Sequence, residues 1–181
     1  MKKSLISTIA YSVSLIADQF ILILATMLIV NIIGFISKGK MAFLQFLISF
    51  VLFVLLVYID SWIRGSSDCN KIKLGTFGKN SAKGVIAGLI ATIPAYIFAI
   101  FAYIAESRGI VFVDFLGVDL FTALNRFWQF PLSGLYVFAN DNPALNFVIP
   151  LILPVVSGIG YIFGLNRISI KQILIYKKDE E

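Results

Sequence analysis

The residues best suited to chemistry lie in one short stretch, 61–83. It holds a single acid, Asp68, and five cations, which are Arg64, Lys71, Lys73, Lys79 and Lys83. Lys and Arg clustered next to an apolar run attract anionic lipid headgroups, with a gain of about 1 kcal/mol for each cation near the surface. We therefore predict a cytoplasmic basic loop at 60–83 whose five cations contact lipid headgroups.

The glycines of this stretch do not form a phosphate-binding loop. A P-loop needs four residues between its two glycines and a serine or threonine directly after its lysine. In the segment GTFGKNS, two residues separate Gly75 from Gly78, and Asn80 follows Lys79. We therefore interpret this segment as a series of turns.

Groups that catalysis needs are scarce elsewhere in the chain. There is no histidine, the commonest general base and metal ligand, and the single cysteine, Cys69, cannot form a disulfide within the chain. No two acids form an obvious carboxylate pair, and no serine has a recognisable base nearby. We expect no catalytic, cofactor-binding or metal-binding residues, so the chain is predicted not to be an enzyme. The alternative is an acid, Asp18 or Asp60, that acts with a bound lipid.

The composition is that of a membrane protein. The chain has 181 residues, 59% of them hydrophobic, and a net charge of +5; its mean hydropathy is +0.93. Soluble domains are about 45–50% apolar. The positive charges cluster at the ends of apolar runs, which indicates contact with lipid and no nucleic-acid partner. We predict an all-α, polytopic membrane protein that forms a single membrane domain, 1–181.

Four apolar runs are predicted to be transmembrane helices, at 20–36, 41–59, 84–103 and 144–165. Each is close to the roughly 20 residues that cross a hydrocarbon core. Residues 1–19 place hydroxyl and amide side chains on one helical side, which predicts an amphipathic helix in the membrane interface. Since no glycine or proline separates this helix from the first span, one long bent helix is the alternative.

The segment between the third and fourth spans, 106–143, is predicted to lie on the outer side. It is rich in aromatic residues, and Asp119 has the side chain of a helix N-cap. After Asp119, aromatic and leucine side chains recur at helical spacing as far as Trp128, and Pro131 ends the pattern. We predict a second amphipathic helix in the outer interface, with a lid over a cavity as the alternative.

Small residues in the third and fourth spans predict close helix packing. Gly84, Gly88, Ala91 and Ala95 lie on one face of the third span, and Gly160 and Gly164 in the fourth have GxxxG spacing. Faces of this kind let two helices approach closely. We predict that the two faces contact each other, with homodimerisation or docking of a partner as alternatives.

Prolines are predicted to kink the same two spans, at Pro94, Pro150 and Pro154. Each proline removes one backbone donor from the helix. Broken helices at membrane depth often surround the binding site of a transporter. The fourth span is therefore the best candidate for such a site.

The distribution of basic residues predicts the orientation in the membrane. Eleven of the fifteen lie in the N-terminal residues, the 60–83 stretch and the tail at 166–181, and four lie in the two other connections. Short loops that carry Lys and Arg stay in the cytoplasm. We predict a multi-pass protein of the bacterial plasma membrane with both termini in the cytoplasm.

Two segments carry a resemblance to known proteins: GSSDCNKIKLGTFGKNSAKGVIAGLIATIP at 65–94 and GYIFGLNRISIKQILIYKK at 160–178. They resemble parts of an uncharacterised family of small four-span membrane proteins from Gram-positive bacteria, which has no known activity. The resemblance implies four spans and a bacterial plasma membrane. It implies no ligand, cofactor or site residue.

These features favour a non-catalytic interaction or accessory subunit of a membrane complex. Its expected partners are a bilayer with anionic headgroups, and either a second copy of the chain or another membrane protein. The alternative is a small oligomeric transporter or channel for a small solute or lipid, because prolines interrupt two of the spans.

Overall fold

A computed structural model of the protein describes residues 2–37, 42–115, 118–132, 135 and 144–168. Four helical stretches in this part are long and apolar enough to cross a membrane: Leu5–Ile33, Phe43–Lys73, Lys83–Arg108 and Leu145–Leu165. The predicted all-α, four-span membrane fold is confirmed.

The first helix, α1, is continuous from Lys2–Ser37 and has 36 residues. The N-terminal residues and the first span are therefore one helix, which is the alternative that the sequence left open. At about 1.5 Å per residue it is about 54 Å long. Because the hydrocarbon core is only about 30 Å thick, α1 either tilts or extends beyond it by several turns.

The N-terminal half of α1 packs with its polar side inward, which corrects the expectation of a separate interfacial helix. Thr8, Tyr11 and Ser12 are buried, whereas Leu5 and Val13 are exposed. The hydroxyl groups that indicated an interfacial helix therefore face the other helices of the bundle.

The second helix, α2, spans Ala42–Lys73 and continues fourteen residues beyond the predicted end at 59. Most of the predicted basic loop at 60–83 is therefore helical, and the loop itself covers only 74–82. The chain turns out of the helix at Gly75, two residues after Lys73, and the φ of +69° there suits a residue without a Cβ. There the Thr76 N–H donates to the Lys71 carbonyl oxygen at 3.0 Å, which satisfies one of the last carbonyls of the helix.

The third span consists of two helices, α3 (Lys83–Ala91) and α4 (Ile93–Arg108), which meet at Thr92. Pro94 is the second residue of α4, where its missing N–H costs no helical hydrogen bond. The interruption thus lies two residues before Pro94.

The outer segment begins with two short antiparallel strands, β1 (Asp114–Phe115) and β2 (Val118–Asp119). Helix α5 (Leu120–Trp128) follows, and a 3-10 turn spans Phe130–Leu132. The carboxylate of Asp119 accepts from the backbone N–H groups of Phe121 and Thr122, as predicted for an N-cap. Within 106–143, residues 116–117, 133–134 and 136–143 lie outside the described part of the chain.

Backbone donors dominate the environment of the Asp119 carboxylate. Partial desolvation raises its pKa, but N–H groups of Phe112, Thr122, Val113 and Phe121 lower it, and the pKa lies below its usual range. The carboxylate therefore stays charged and joins the 112–113 segment to the start of α5.

The polar side of α5 faces the bundle, and its place in the outer interface stays a prediction. Thr122, Asn125 and Gln129 are buried, and Arg126 is exposed.

The fourth span is broken, with α6 at Leu145–Val148, a 3-10 turn at Ile149–Leu151 and α7 at Ile152–Leu165. Pro150 lies in the 3-10 turn. Pro154 is the third residue of α7, where no backbone donor is needed, so it does not interrupt α7. Helix α7 packs against α2 and α3, and the predicted tail beyond Ile168 lies outside the described residues.

Candidate functional site

A buried ion pair lies where α2, α3 and α7 meet. Asp68 and Lys83 are each 3% exposed, and the Lys83 Nζ lies 2.5 Å from the Asp68 Oδ2. The same oxygen accepts from the Tyr161 hydroxyl at 2.9 Å, and the Asp68 Oδ1 accepts from the Lys71 Nζ at 3.1 Å. Asp68 thus accepts three hydrogen bonds from side chains of three helices.

Lys83 connects this cluster to α1. Its Nζ donates to the Ser7 Oγ at 2.7 Å and lies 4.9 Å from the centre of the Phe77 ring. A buried ammonium group loses its hydration and is tolerated only when such partners replace the water. We name Asp68, Lys83, Lys71, Tyr161 and Ser7 the Asp68 cluster.

Arg64 lies next to the Asp68 cluster on α2. It donates to Asp60 at 2.9 Å and to Ser14, and its guanidinium lies 5.0 Å from the centre of the Tyr11 ring. The Tyr11 hydroxyl is buried and has no hydrogen-bond partner within the described residues. The Ser61 hydroxyl beside it donates to the Val57 carbonyl oxygen instead.

A cavity of about 80 Å³ lies between these groups. Its lining is mostly polar and charged: Ser7, Tyr11, Arg64, Ser67, Asp68, Lys71 and Lys83. We name it the Asp68 cavity.

The five predicted lipid-contacting cations fall into two sets. Lys73 and Lys79 are exposed and lie outside the Asp68 cavity, whereas Arg64, Lys83 and the half-exposed Lys71 line it. The prediction of a headgroup contact at Lys83 is wrong, because Lys83 is buried in an ion pair with Asp68. Lys83 is buried because α3 packs on α1 and α7. The sequence around Lys83 does not reveal that packing.

Sequence reasoning missed Asp68 and Tyr161 as site residues. Asp68 lies three residues before Lys71 on one helix, a spacing that predicts an ion pair. This signal was readable in the sequence. Tyr161 is separated from Asp68 by 93 positions, and no local pattern connects the two.

The small residues of the third span lie against α7. A Cβ added at Gly84 would lie 2.7 Å from the Ser157 carbonyl oxygen, and one at Gly88 would lie 2.5 Å from the Pro154 Cα. Ala91 and Ala95, further along the same face, are 0% and 3% exposed.

Gly160 and Gly164 of the fourth span lie against α2, which differs from their predicted contact with the third span. A Cβ at Gly160 would lie 2.7 Å from the Tyr58 carbonyl oxygen, and one at Gly164 would overlap the Trp62 carbonyl oxygen. On the α2 side, Gly65 approaches the backbone of Tyr161 in the same way and was not predicted.

A second polar cluster connects α1, α5 and α6. The Gln19 amide donates to the Trp128 carbonyl oxygen at 3.3 Å. Asn125 accepts from Gln129 at 2.8 Å and donates to Asn146 at 3.0 Å. We name these four amide residues the amide cluster: Gln19, Asn125, Gln129 and Asn146.

A cavity of about 10 Å³ lies beside the amide cluster, which is room for about one water molecule. Thr92 and Pro150, at the interruptions of the third and fourth spans, both line it. The Gln19 Oε1 and the Trp128 Nε1 are buried and have no hydrogen-bond partner within the described residues.

The described residues contain no group of three or more acidic or cysteine side chains that could hold a metal ion. Comparison with protein-family models, with curated proteins and with solved structures found no match.

Proposed function

We propose that this chain is a non-catalytic interaction or accessory subunit of a membrane complex. The observation that carries the proposal is Asn31, an exposed amide in the first span. Its Nδ2 donates to the Met27 carbonyl oxygen of its own helix at 2.8 Å, and its Oδ1 has no partner among the described residues. Lipid chains offer no hydrogen bond, whereas a hydrogen bond to a neighbouring helix stabilises helix association by about 1 kcal/mol.

The surface around Asn31 is large and apolar. Leu28, Ile32 and Phe35 are 65%, 58% and 89% exposed. In the most apolar 18 residues of the first and second spans, only 28% and 17% of the residues are buried, against 56% in the fourth span. This surface therefore has room for a partner helix, which would also satisfy the Asn31 amide.

Replacing Asn31 with leucine tests this role. In mild detergent the wild-type chain is expected to purify with a second membrane protein in a fixed ratio. Asn31→Leu is expected to lose that protein, because leucine leaves the apolar surface intact and removes only the amide. The control, Ile32→Leu, is expected to retain it. A partner that stays bound to Asn31→Leu, or a chain that purifies alone, would contradict the proposal.

The alternative function is a small oligomeric transporter or channel. It is favoured by the two span interruptions, Thr92 and Pro150, which line one cavity beside the amide cluster. Liposomes that contain only this chain distinguish the two functions. The accessory role predicts no solute flux above that of empty liposomes, and flux from the chain alone would favour the transporter.

The proposal includes a location and an orientation. We place the chain in a bacterial plasma membrane with both termini in the cytoplasm, supported by the eleven basic residues assigned to that side. Lys73 and Lys79 are exposed there and are the cations proposed to contact anionic headgroups. No nucleic-acid partner is proposed.

Cysteine labelling tests the orientation. In a Cys69→Ser background, Thr76→Cys and Ser107→Cys each place one thiol at an exposed position, one in the turn after α2 and one near the end of α4. A membrane-impermeant maleimide is expected to label only Ser107→Cys in intact cells, and both variants after permeabilisation. Labelling of Thr76→Cys in intact cells would show that the orientation is reversed.

A further inference from the structure

The two lysines of the Asp68 cavity have hydrogen-bond donors left over. Lys83 uses two of its three ammonium hydrogens, on Asp68 and Ser7. Lys71 uses one, on Asp68, and is half-exposed. Since an ammonium group donates three hydrogen bonds, both lysines keep donors that no described residue accepts.

Other residues that line the Asp68 cavity add further donors. Arg64 has five donor hydrogens in a fixed fork, and its two hydrogen-bond partners, Asp60 and Ser14, lie outside the cavity lining. Tyr11 is 1% exposed, and its hydroxyl lacks a partner among the described residues. Ser67 supplies another hydroxyl to the lining.

Both carboxylate oxygens of Asp68 already accept hydrogen bonds. The Asp68 Oδ2 accepts from Lys83 and Tyr161, and the Asp68 Oδ1 accepts from Lys71. Three cations therefore share the lining with one acid. Asp60 forms an ion pair with Arg64 from outside the cavity lining. Asp18 is the other acid near Arg64.

A ligand that matches this lining carries negative charge and several acceptor oxygens. Water fits the volume of about 80 Å³, but it brings as many donors as acceptors and no charge. A phosphomonoester brings three strong acceptor oxygens and a charge of about −1.5 to −2 near neutral pH. Charge-assisted hydrogen bonds from Lys and Arg to phosphate are about twice as strong as neutral ones.

From this excess of donors we infer that the Asp68 cavity binds the phosphate group of a phosphomonoester. Two kinds of molecule carry this group, phosphatidic acid in the bilayer and a soluble phosphate compound, and the experiment below distinguishes them. The inference does not depend on the accessory role, because every lining residue belongs to this one chain.

Binding to the purified full-length chain in phosphatidylcholine nanodiscs tests the inference. The probes are inorganic phosphate in solution, phosphatidic acid in the nanodisc, and phosphatidylglycerol as an anionic phosphodiester control. We expect the melting temperature to rise with phosphatidic acid, with phosphate or with both, and not with phosphatidylglycerol. A rise with phosphate identifies a soluble source, and a rise with phosphatidic acid alone identifies the lipid. No rise with either, or an equal rise with phosphatidylglycerol, would overturn the inference.

Two variants locate the effect in the cavity. Lys71→Met removes one charge from a half-exposed lysine, and Tyr11→Phe removes the unpartnered hydroxyl while keeping the ring beside Arg64. Loss of one hydrogen bond to a charged group predicts about tenfold weaker phosphate binding for Lys71→Met, with a smaller loss for Tyr11→Phe. The control, Lys79→Met, removes the same charge outside the cavity and is expected to bind inorganic phosphate normally. Equal weakening by Lys71→Met and Lys79→Met would mean that surface charge alone attracts the anion, and would overturn the inference.

Discussion

Gly164→Ala is expected to lower the melting temperature of the detergent-purified protein by roughly 10 °C. The new Cβ would overlap the Trp62 carbonyl oxygen and lie 2.9 Å from the Ser66 backbone nitrogen. Both are backbone atoms of α2, so no side-chain rotation can make room. Forced separation of two packed elements costs about 3 kcal/mol, and in this size range each kcal/mol shifts the melting temperature by about 2–4 °C.

Gly78→Ala is the matched control for this change. No atom lies within 4 Å of the Cβ position of Gly78, and its φ is not in the left-handed region. The same glycine-to-alanine change is therefore expected to alter stability by less than about 0.5 kcal/mol. Equal melting temperatures for Gly164→Ala and Gly78→Ala would contradict the close contact between α2 and α7.

The sequence predicts small-residue faces, and it predicts the contacting helix for only one of them: Gly84 and Gly88 lie against the fourth span as expected, whereas Gly160 and Gly164 do not lie against the third. The GxxxG spacing of Gly160 and Gly164 indicates a smooth face, yet any of the other helices could pack against it. In the structure this face contacts α2, while Gly158, two positions away on α7, faces Val85 of α3. Only the three-dimensional arrangement of the helices determines these pairings.

The ends of the helices also differ from the sequence prediction, for a physical reason. A hydropathy pattern marks where the apolar run stops, at 59 in the second span, and not where the helix stops. Arg and Lys have good helix propensity, so α2 continues through Arg64 and Lys71 until Gly75 allows it to end. The apolar runs predicted the number of spans because hydropathy is the property that places a helix in lipid.

The sequence shows the charges of the 60–83 stretch, but it does not show which of these side chains are buried in the protein. Lys79 and Lys83 are four residues apart, and yet Lys79 is exposed while Lys83 is 3% exposed. The difference arises because Lys83 begins α3 beside Asp68, and Lys79 lies in the preceding turn. Both lysines lie in the same polar stretch of sequence, so only the packing explains the difference in their exposure.

Lys83→Met is expected to destabilise the protein by about 3 kcal/mol, because breaking a buried ion pair leaves one charge without its partner. The charge left behind is that of Asp68, which is 3% exposed. Lys71 still contacts its Oδ1, but Lys71 is half-exposed and does not replace the donor at Oδ2. Thermal unfolding in detergent measures the loss, with Lys79→Met as a control that removes a lysine charge from an exposed turn.

The double variant Asp68→Asn/Lys83→Met separates the ion pair from a general packing defect. It removes both buried charges, and the amide oxygen introduced at position 68 can still accept from the Tyr161 hydroxyl, which donates to Asp68 at 2.9 Å in the wild-type chain. Replacing both members of a buried pair costs far less than breaking it, so the double variant is expected to melt above Lys83→Met. Contacting residues couple by about 0.5–3 kcal/mol in such a cycle. Strictly additive effects of Asp68→Asn and Lys83→Met would mean that the two charges do not interact, and would contradict a stabilising ion pair.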